Sequence, residues 1–256
     1  MTDDGTAVSG TVQVSTPPTV QVSAPPKVPV YLERYYWWAY VRPWAVQLFE
    51  RPWLVNLILW GFYKRLMHEV FTSLGTSLPG KTLQISCCYG NLTPRLAEAV
   101  KAGGGTLDVV DVLPIQLENL RRKLPKGAPV RLIACDSTDL GGAEGPYDHV
   151  LLFFLLHEQP EKVRKATLAE ALRVLKRSGT LVIVDFGKPV WWHPLRYLWF
   201  GLVLRFLEPF AKDLWTREIS TWIPPEHANR SMIKTRIFGG MYQKIMFGPW
   251  HERSRG

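Results

Sequence analysis

The chain has 256 residues, of which 46% are hydrophobic and 21% charged, with a net charge of +9. That length and apolar content suit one sizeable globular core with appendages and exclude two full domains. No nucleic-acid partner is expected, because the basic residues are spread over stretches such as Arg121-Arg122-Lys123 and Arg173 to Arg177, as on solvated helix faces. The aromatic residues sit apart from them, in apolar runs.

Residues 1–29 are rich in Thr, Val, Ser, Pro and Gly, with neither the basic and apolar regions of a signal peptide nor the arginines of a transit peptide. They are expected to form a disordered tail. Residues 30–75 read as an aromatic-rich helical segment. All eleven tryptophans fall outside the stretch from Lys64 to Val190, which predicts two aromatic flanks beside a plainer α/β core. Trp and Tyr interspersed with Arg is the composition of a membrane interface. The charge-free run from Pro52 to Tyr63 stops at Arg51 and Lys64, well short of the roughly 20 apolar residues of a span. A segment lying on a membrane is therefore expected, not one passing through it.

Residues 76–189 alternate strand and helix periods. Thr82 to Cys87 reads as a buried strand, and the helix after Asn91 carries Leu92, Leu96 and Val100 on one stripe before Gly103-Gly104-Gly105 ends it. Thr106 to Asp111 is the next strand, and Pro114 sits at a first helical position, where proline is tolerated. Val130 to Ala134 is the third strand and Asp148 to Leu156 the fourth. A helix then runs to near Gly179, and Thr180 to Asp185 is the fifth strand. Such βαβ units predict a Rossmann-like α/β fold with a mostly parallel sheet buried on both faces.

Residues 190–256 hold an apolar stretch, His193 to Phe206, interrupted by Arg196 and Arg205. It reads either as an interfacial segment with snorkelling arginines or as a lid over a greasy pocket. Lys234 to Phe247 alternates about Gly239-Gly240 as a C-terminal antiparallel hairpin. The three cysteines, Cys87, Cys88 and Cys135, are odd in number and form no C-x-x-C pair, which fits a reducing, cytoplasmic compartment.

The chemically informative residues gather at the ends of the predicted strands, where open parallel sheets bind ligands. Asp111 follows the loop glycine Gly90 at the spacing that lets a carboxylate accept bonds from two ribose hydroxyls. Asp136-Ser137 suits an exocyclic adenine amine. With Tyr147-Asp148 before the fourth strand and Arg173 to Gly179 before the fifth, residues 81–189 resemble the class I S-adenosylmethionine-dependent methyltransferases. The resemblance implies cofactor contacts from Gln84, Ser86, Tyr89, Gly90, Asn91, Asp111, Val112, Asp136 and Ser137. The loop departs from the family pattern: Gln84 stands where an acid usually helps hold the methionine ammonium, and Ser86 and Cys88 replace glycines. Their Cβ atoms penalise positive φ and narrow the loop. Of the pattern's glycines Gly90 is kept.

A closer resemblance covers residues 30–247. Tyr31 to Tyr40, Pro52 to Gly61, Cys87-Cys88-Tyr89-Gly90 and Phe238 to Lys244 are similar to segments of the RquA-type rhodoquinone biosynthesis family. The resemblance implies conversion of ubiquinone to rhodoquinone, an amino group replacing a ring methoxy group with S-adenosylmethionine as nitrogen source. It also implies divalent manganese and peripheral association with the inner (cytoplasmic) membrane.

His157 and Glu158, closing the fourth strand, are expected on the substrate side. His157 is the natural proton shuttle near neutral pH, and Tyr89 has a phenol within reach of cofactor or quinone. Manganese would find oxygen and nitrogen donors in His157, Glu158 and Asp185. Two competing readings remain open: a conventional quinone or lipid methyltransferase, and a non-catalytic lipid-binding protein on the same fold.

Overall fold

The computed structural model describes residues 20–21, 26–41, 43–143, 145–198 and 208–250. Its centre is a sheet of β1 (Val20–Gln21), β2 (Lys81–Ile85), β3 (Thr106–Asp111), β4 (Val130–Ala134), β5 (Tyr147–Phe153), β6 (Leu175–Phe186), β7 (Arg230–Ile237) and β8 (Tyr242–Trp250). The order is β1-β4-β3-β2-β5-β6-β8-β7. Pairing is parallel from β1 across to β6, whereas β8 runs antiparallel to both β6 and β7. The mostly parallel Rossmann-like sheet with its C-terminal hairpin is thus as the sequence predicts.

The parallel strands form because their apolar runs are covered on both faces. Leu83, Ile85, Leu107, Val109, Leu151 and Leu152 are fully buried. Helix α4 (Leu92–Ala102) seats Leu92, Leu96 and Val100 against the sheet, and α5 (Pro114–Lys123) begins at its proline and buries Leu117 and Leu120. α6 (Glu161–Arg173) covers the next crossover with Leu168, Ala171 and Leu172. N-terminal to the core lie a π-helix (Leu32–Val41), α1 (Pro43–Phe49), α2 (Pro52–Ile58) and α3 (Tyr63–Leu74). Only α3 carries a long apolar stripe, with Tyr63, Leu66, Met67, Val70 and Leu74 buried. The shorter helices leave much of their apolar surface outside the core.

Several boundaries differ from those predicted: the fourth predicted strand ends at Phe153 and not Leu156, leaving His157 and Glu158 beyond it, and the hairpin runs from Arg230 to Trp250. Val20 and Gln21 lie within the expected tail yet extend the sheet beside Leu132 and Ile133. The rest of that tail up to residue 25, and residues 199–207 of the expected lid, lie outside the described residues. The last helix of the core stops at Arg173, and β6 opens at Leu175 instead of Thr180. Leu175 pairs with Tyr147 while Thr180 pairs with His149, so the strand bulges between them. The bulge needs Gly179, since a Cβ there would meet the Tyr147 and Asp148 carbonyl oxygens at 3.0 and 2.9 Å. The buried Arg230 guanidinium fixes it, donating to the carbonyls of Lys176, Arg177 and Gly179.

Candidate active site

The strand order reverses between β3 and β5, on either side of β2, so a crevice opens beyond their carboxyl ends. A cavity of about 200 Å³ fills it. The core supplies the turns after β2, β3, β4 and β5; the π-helix, α1 and α2 supply the opposite wall.

Of the expected cofactor residues, Ser86, Tyr89, Asp111, Val112 and Ser137 line this cavity, whereas Gln84, Gly90, Asn91 and Asp136 do not. Each of the latter is engaged elsewhere. Gln84 is buried and donates through Nε2 to the Ser86 carbonyl at 3.0 Å and the Cys88 Sγ at 3.6 Å. Asp136 accepts from the Thr138 amide and hydroxyl. Gly90 (φ +85°) donates its amide to Glu50 Oε1 at 3.1 Å, and the amides of Asn91 and Leu92 donate to the Tyr63 hydroxyl. The N-terminal helices therefore hold the far side of the loop. Glu50 also takes Lys123 Nζ and Asn119 Nδ2, both at 2.6 Å. Glu50→Ala strands these donors and is expected to cost about 2 kcal/mol in urea unfolding. Hydrogen exchange should show faster amides at Gly90 and beyond.

Near the cavity the loop folds around Asp111, which is buried at the end of β3. One of its oxygens accepts from the Cys87 amide at 2.7 Å and the Ser86 hydroxyl at 3.2 Å, the other from the Leu113 amide at 2.8 Å. The Cys87 thiol also bonds this carboxylate, so a ribose hydroxyl would take the place of one of the side-chain donors, Ser86 or Cys87. Ser86 holds φ at +72°, the conformation that its Cβ penalises. Cys88 is not among the residues with positive φ. An adenosyl ligand fits this arrangement through the Asp111 carboxylate that faces the cavity. No acid stands at the position of Gln84 to receive its ammonium.

At the other pole His157 sits in a one-turn helix (Leu156–Glu158) with its Nδ1 2.9 Å from Asp185 Oδ1. Asp185 is wholly buried, and its second oxygen accepts from the Leu156 amide. His157 Nε2 lies 3.7 Å from Glu158 and 3.8 Å from Glu208. Tyr40 donates to Glu158, and Tyr36 donates to Glu208 at 2.9 Å. Tyr36 and Tyr40 share a face because π-winding brings residues four to five apart into line; their rings are 6.1 Å apart. Glu208 and both tyrosines escape the sequence reading. For Glu208 one signal exists, since it is the only acidic residue between Lys188 and Lys212.

Three carboxyl groups around one imidazole change how all of them titrate. Burial opposes charging His157, but Asp185, Glu208 and Glu158 outweigh it and raise its pKa to about 9. Burial raises Glu158 to about 8 against the pull of His157, and it raises Glu208 as well. Both His157 and Glu158 thus bind protons more tightly folded than unfolded. The contribution of Glu158 begins to fall above its unfolded value of 4.5 and is lost through about 8; that of His157 falls from 6.5 and is lost through about 9. The thermal midpoint is expected to drop steadily from about pH 6 to about pH 9. A flat profile would contradict a charged His157 here.

The expected metal set does not form. Asp185 is spent on His157 Nδ1 and the backbone, and no group of three His, Cys, Asp or Glu among the described residues is arranged to hold a metal ion. Tyr89, the second expected catalytic residue, is sandwiched by Tyr40 (5.7 Å, 15°) and Phe49 (6.0 Å, 25°), and its hydroxyl accepts from Gln116 at 2.8 Å. Burial raises its pKa, so it is a neutral wall residue at physiological pH.

Outside the cavity, Trp53, Trp191, Trp192 and Tyr197 are between 58 and 78% exposed, with Leu57 and Trp60 beside the first of them in α2 and its turn. Phe62 and Phe238 stack at 4.2 Å, and His193 packs edge-on against Phe238 at 4.7 Å, so the two aromatic flanks meet. No helix of the described residues is long and apolar enough to cross a membrane.

Residues 82–179 match the family model for a methyltransferase domain. An uncharacterized methyltransferase of Synechocystis sp. is 29% identical over 161 residues, 62% of this chain and 71% of that protein. The demethylmenaquinone methyltransferase of Staphylococcus saprophyticus is 27% identical over 204 residues, 73% of this chain and 85% of that one. Among solved structures, human N-acetylserotonin methyltransferase in complex with S-adenosylmethionine superposes with a TM-score of 0.59 at 13% identity. It covers 86% of this chain, which spans 62% of that one; this likeness concerns the fold alone. The core is thus similar to methyltransferase domains in sequence and in fold.

Proposed function

We propose that this chain is an S-adenosylmethionine-dependent transferase acting on a membrane-borne polyprenyl quinone, and that it replaces a ubiquinone methoxy group by an amino group to give rhodoquinone. The observation that carries the reading is a single cavity whose one pole is the Asp111 loop and whose other pole is His157 among aromatic rings. The bound cofactor supplies an electrophilic sulfonium and an amine. Asp111 would hold its ribose, and Gln84 in place of an acid would leave the amine without a carboxylate lock at that position. Tyr40, Tyr89 and Phe49 stack in the cavity wall and give a planar ring aromatic edges to pack against. His157, kept charged by Asp185 and Glu208, donates a proton at Nε2 toward a quinone oxygen.

The exposed tryptophans of both flanks suit a membrane surface, where the isoprenoid tail resides. Manganese, implied by the resemblance, is assigned no step, because the donors do not converge. A second reading, conventional methyl transfer to a quinone, is favoured by the demethylmenaquinone methyltransferase among the relatives.

The test is mass spectrometry of quinones from cells expressing the chain and fed methionine labelled at nitrogen. A nitrogen-labelled aminoquinone supports the proposal. A methylated quinone supports the second reading, and an unchanged quinone pool contradicts both.

A further inference from the structure

Arg164 on α6 is 0% exposed and does not line the cavity, yet its guanidinium reaches both segments that carry the glutamates. Nε donates to the Leu156 carbonyl at 2.8 Å, and Nη2 donates to the Gln159 carbonyl at 2.8 Å and the Phe210 carbonyl at 3.0 Å. Nη1 meets Asp213 at 3.3 Å, and the guanidinium lies over the Trp222 ring, 4.4 Å from its centroid. Leu156 and Gln159 bracket His157 and Glu158; Phe210 lies two residues beyond Glu208.

Burying a guanidinium is costly, and an apolar side chain would fill the same space more cheaply. What an apolar side chain lacks is a rigid fork of donors that binds three carbonyls from two separate segments at once. We propose that Arg164 is a positioning residue: by tying the Leu156–Gln159 turn to the Phe210 segment, it sets Glu158 and Glu208 on either side of His157 Nε2. The other groups facing that imidazole are Asp185 from β6 and the rings of Phe154 and Phe186. Tyr36 and Tyr40 reach it through the two glutamates. None of these is held by Arg164 directly.

The proposal deepens the role given to His157, but its test needs neither cofactor nor substrate. It can therefore fail separately from the labelled-nitrogen experiment. The full chain, labelled at histidine, is titrated by NMR as wild type, Arg164→Lys and Arg164→Met, with His157→Gln identifying the resonance. Lysine keeps the charge and loses the fork; methionine loses both.

Positioning predicts that both variants lower the His157 midpoint by about one pH unit, a tenfold loss of proton affinity, because the carboxylates drift away. Simple electrostatics predicts the opposite sign for Arg164→Met, since losing a nearby positive charge makes the imidazole easier to protonate, and no change for Arg164→Lys. An unchanged or raised midpoint in folded Arg164→Met, or an unchanged one in Arg164→Lys, overturns the proposal. Should one variant not fold, the other decides. If both lose their near-ultraviolet circular dichroism, the proposal also falls, because Arg164 would then be holding the core as a whole.

Discussion

Asp111→Ala is expected to weaken S-adenosylmethionine binding at least a hundredfold by calorimetry. The Asp111 carboxylate accepts two backbone amides, from Cys87 and Leu113, as well as the Ser86 hydroxyl. Its loss strands both amides and removes the ribose acceptor. The stranded amides cost folding stability in free and bound protein alike; the lost charge-assisted bonds to the ribose are worth about 1.5–3 kcal/mol each, and about 1.4 kcal/mol is tenfold in affinity. Asp111→Asn should recover little, because one amide-bearing side chain cannot accept from donors on both of its sides. The loop is held from behind by Glu50 and Tyr63, so the variant should stay folded. Binding within threefold of wild type would show that the ribose lies elsewhere.

His157→Gln is expected to lower turnover by about 10² to 10⁴, the span found when a positioned acid or base is removed, while cofactor affinity changes less than twofold. The two effects separate because His157 and Asp111 stand at opposite poles of one cavity. Asp185→Asn should share the defect, since the carboxylate at 2.9 Å fixes the ring and keeps it charged. Wild-type turnover should fall on the alkaline side as His157 loses its proton near pH 9. Product formation by timed mass spectrometry reads all three effects. A His157→Gln enzyme with full turnover would remove this residue from the chemistry.

The two poles differ in how far they can be read from the residues. Asp111, Asp136 and His157 are legible because buried parallel strands are continuous apolar runs, and whatever polar residue ends a run must lie at the sheet's carboxyl edge. That argument gives position along the sheet and not the direction of a side chain. Gly90 and Asp136 sit in the expected turns and Gln84 in the expected strand, yet none of them lines the cavity. The start of β6 at Leu175 is hidden because Leu175 continues the apolar spacing of α6, and only pairing with Tyr147 makes it a strand. Glu50 and Tyr63 on the loop, and Tyr36 on Glu208, are contacts between residues 26 to 172 positions apart. No local pattern encodes such pairs. Tyr36 and Tyr40 are spaced i,i+4, which an α template already places on one face, but that spacing does not say what the face meets.

The most direct test of the shared cavity is a crystal structure of the full chain with S-adenosylhomocysteine and a short-tailed quinone. The ribose should lie within hydrogen-bonding distance of Asp111, with the quinone ring beside Tyr89 and an oxygen near His157 Nε2. Ligands bound at separate places, or a ribose remote from Asp111, would contradict the account.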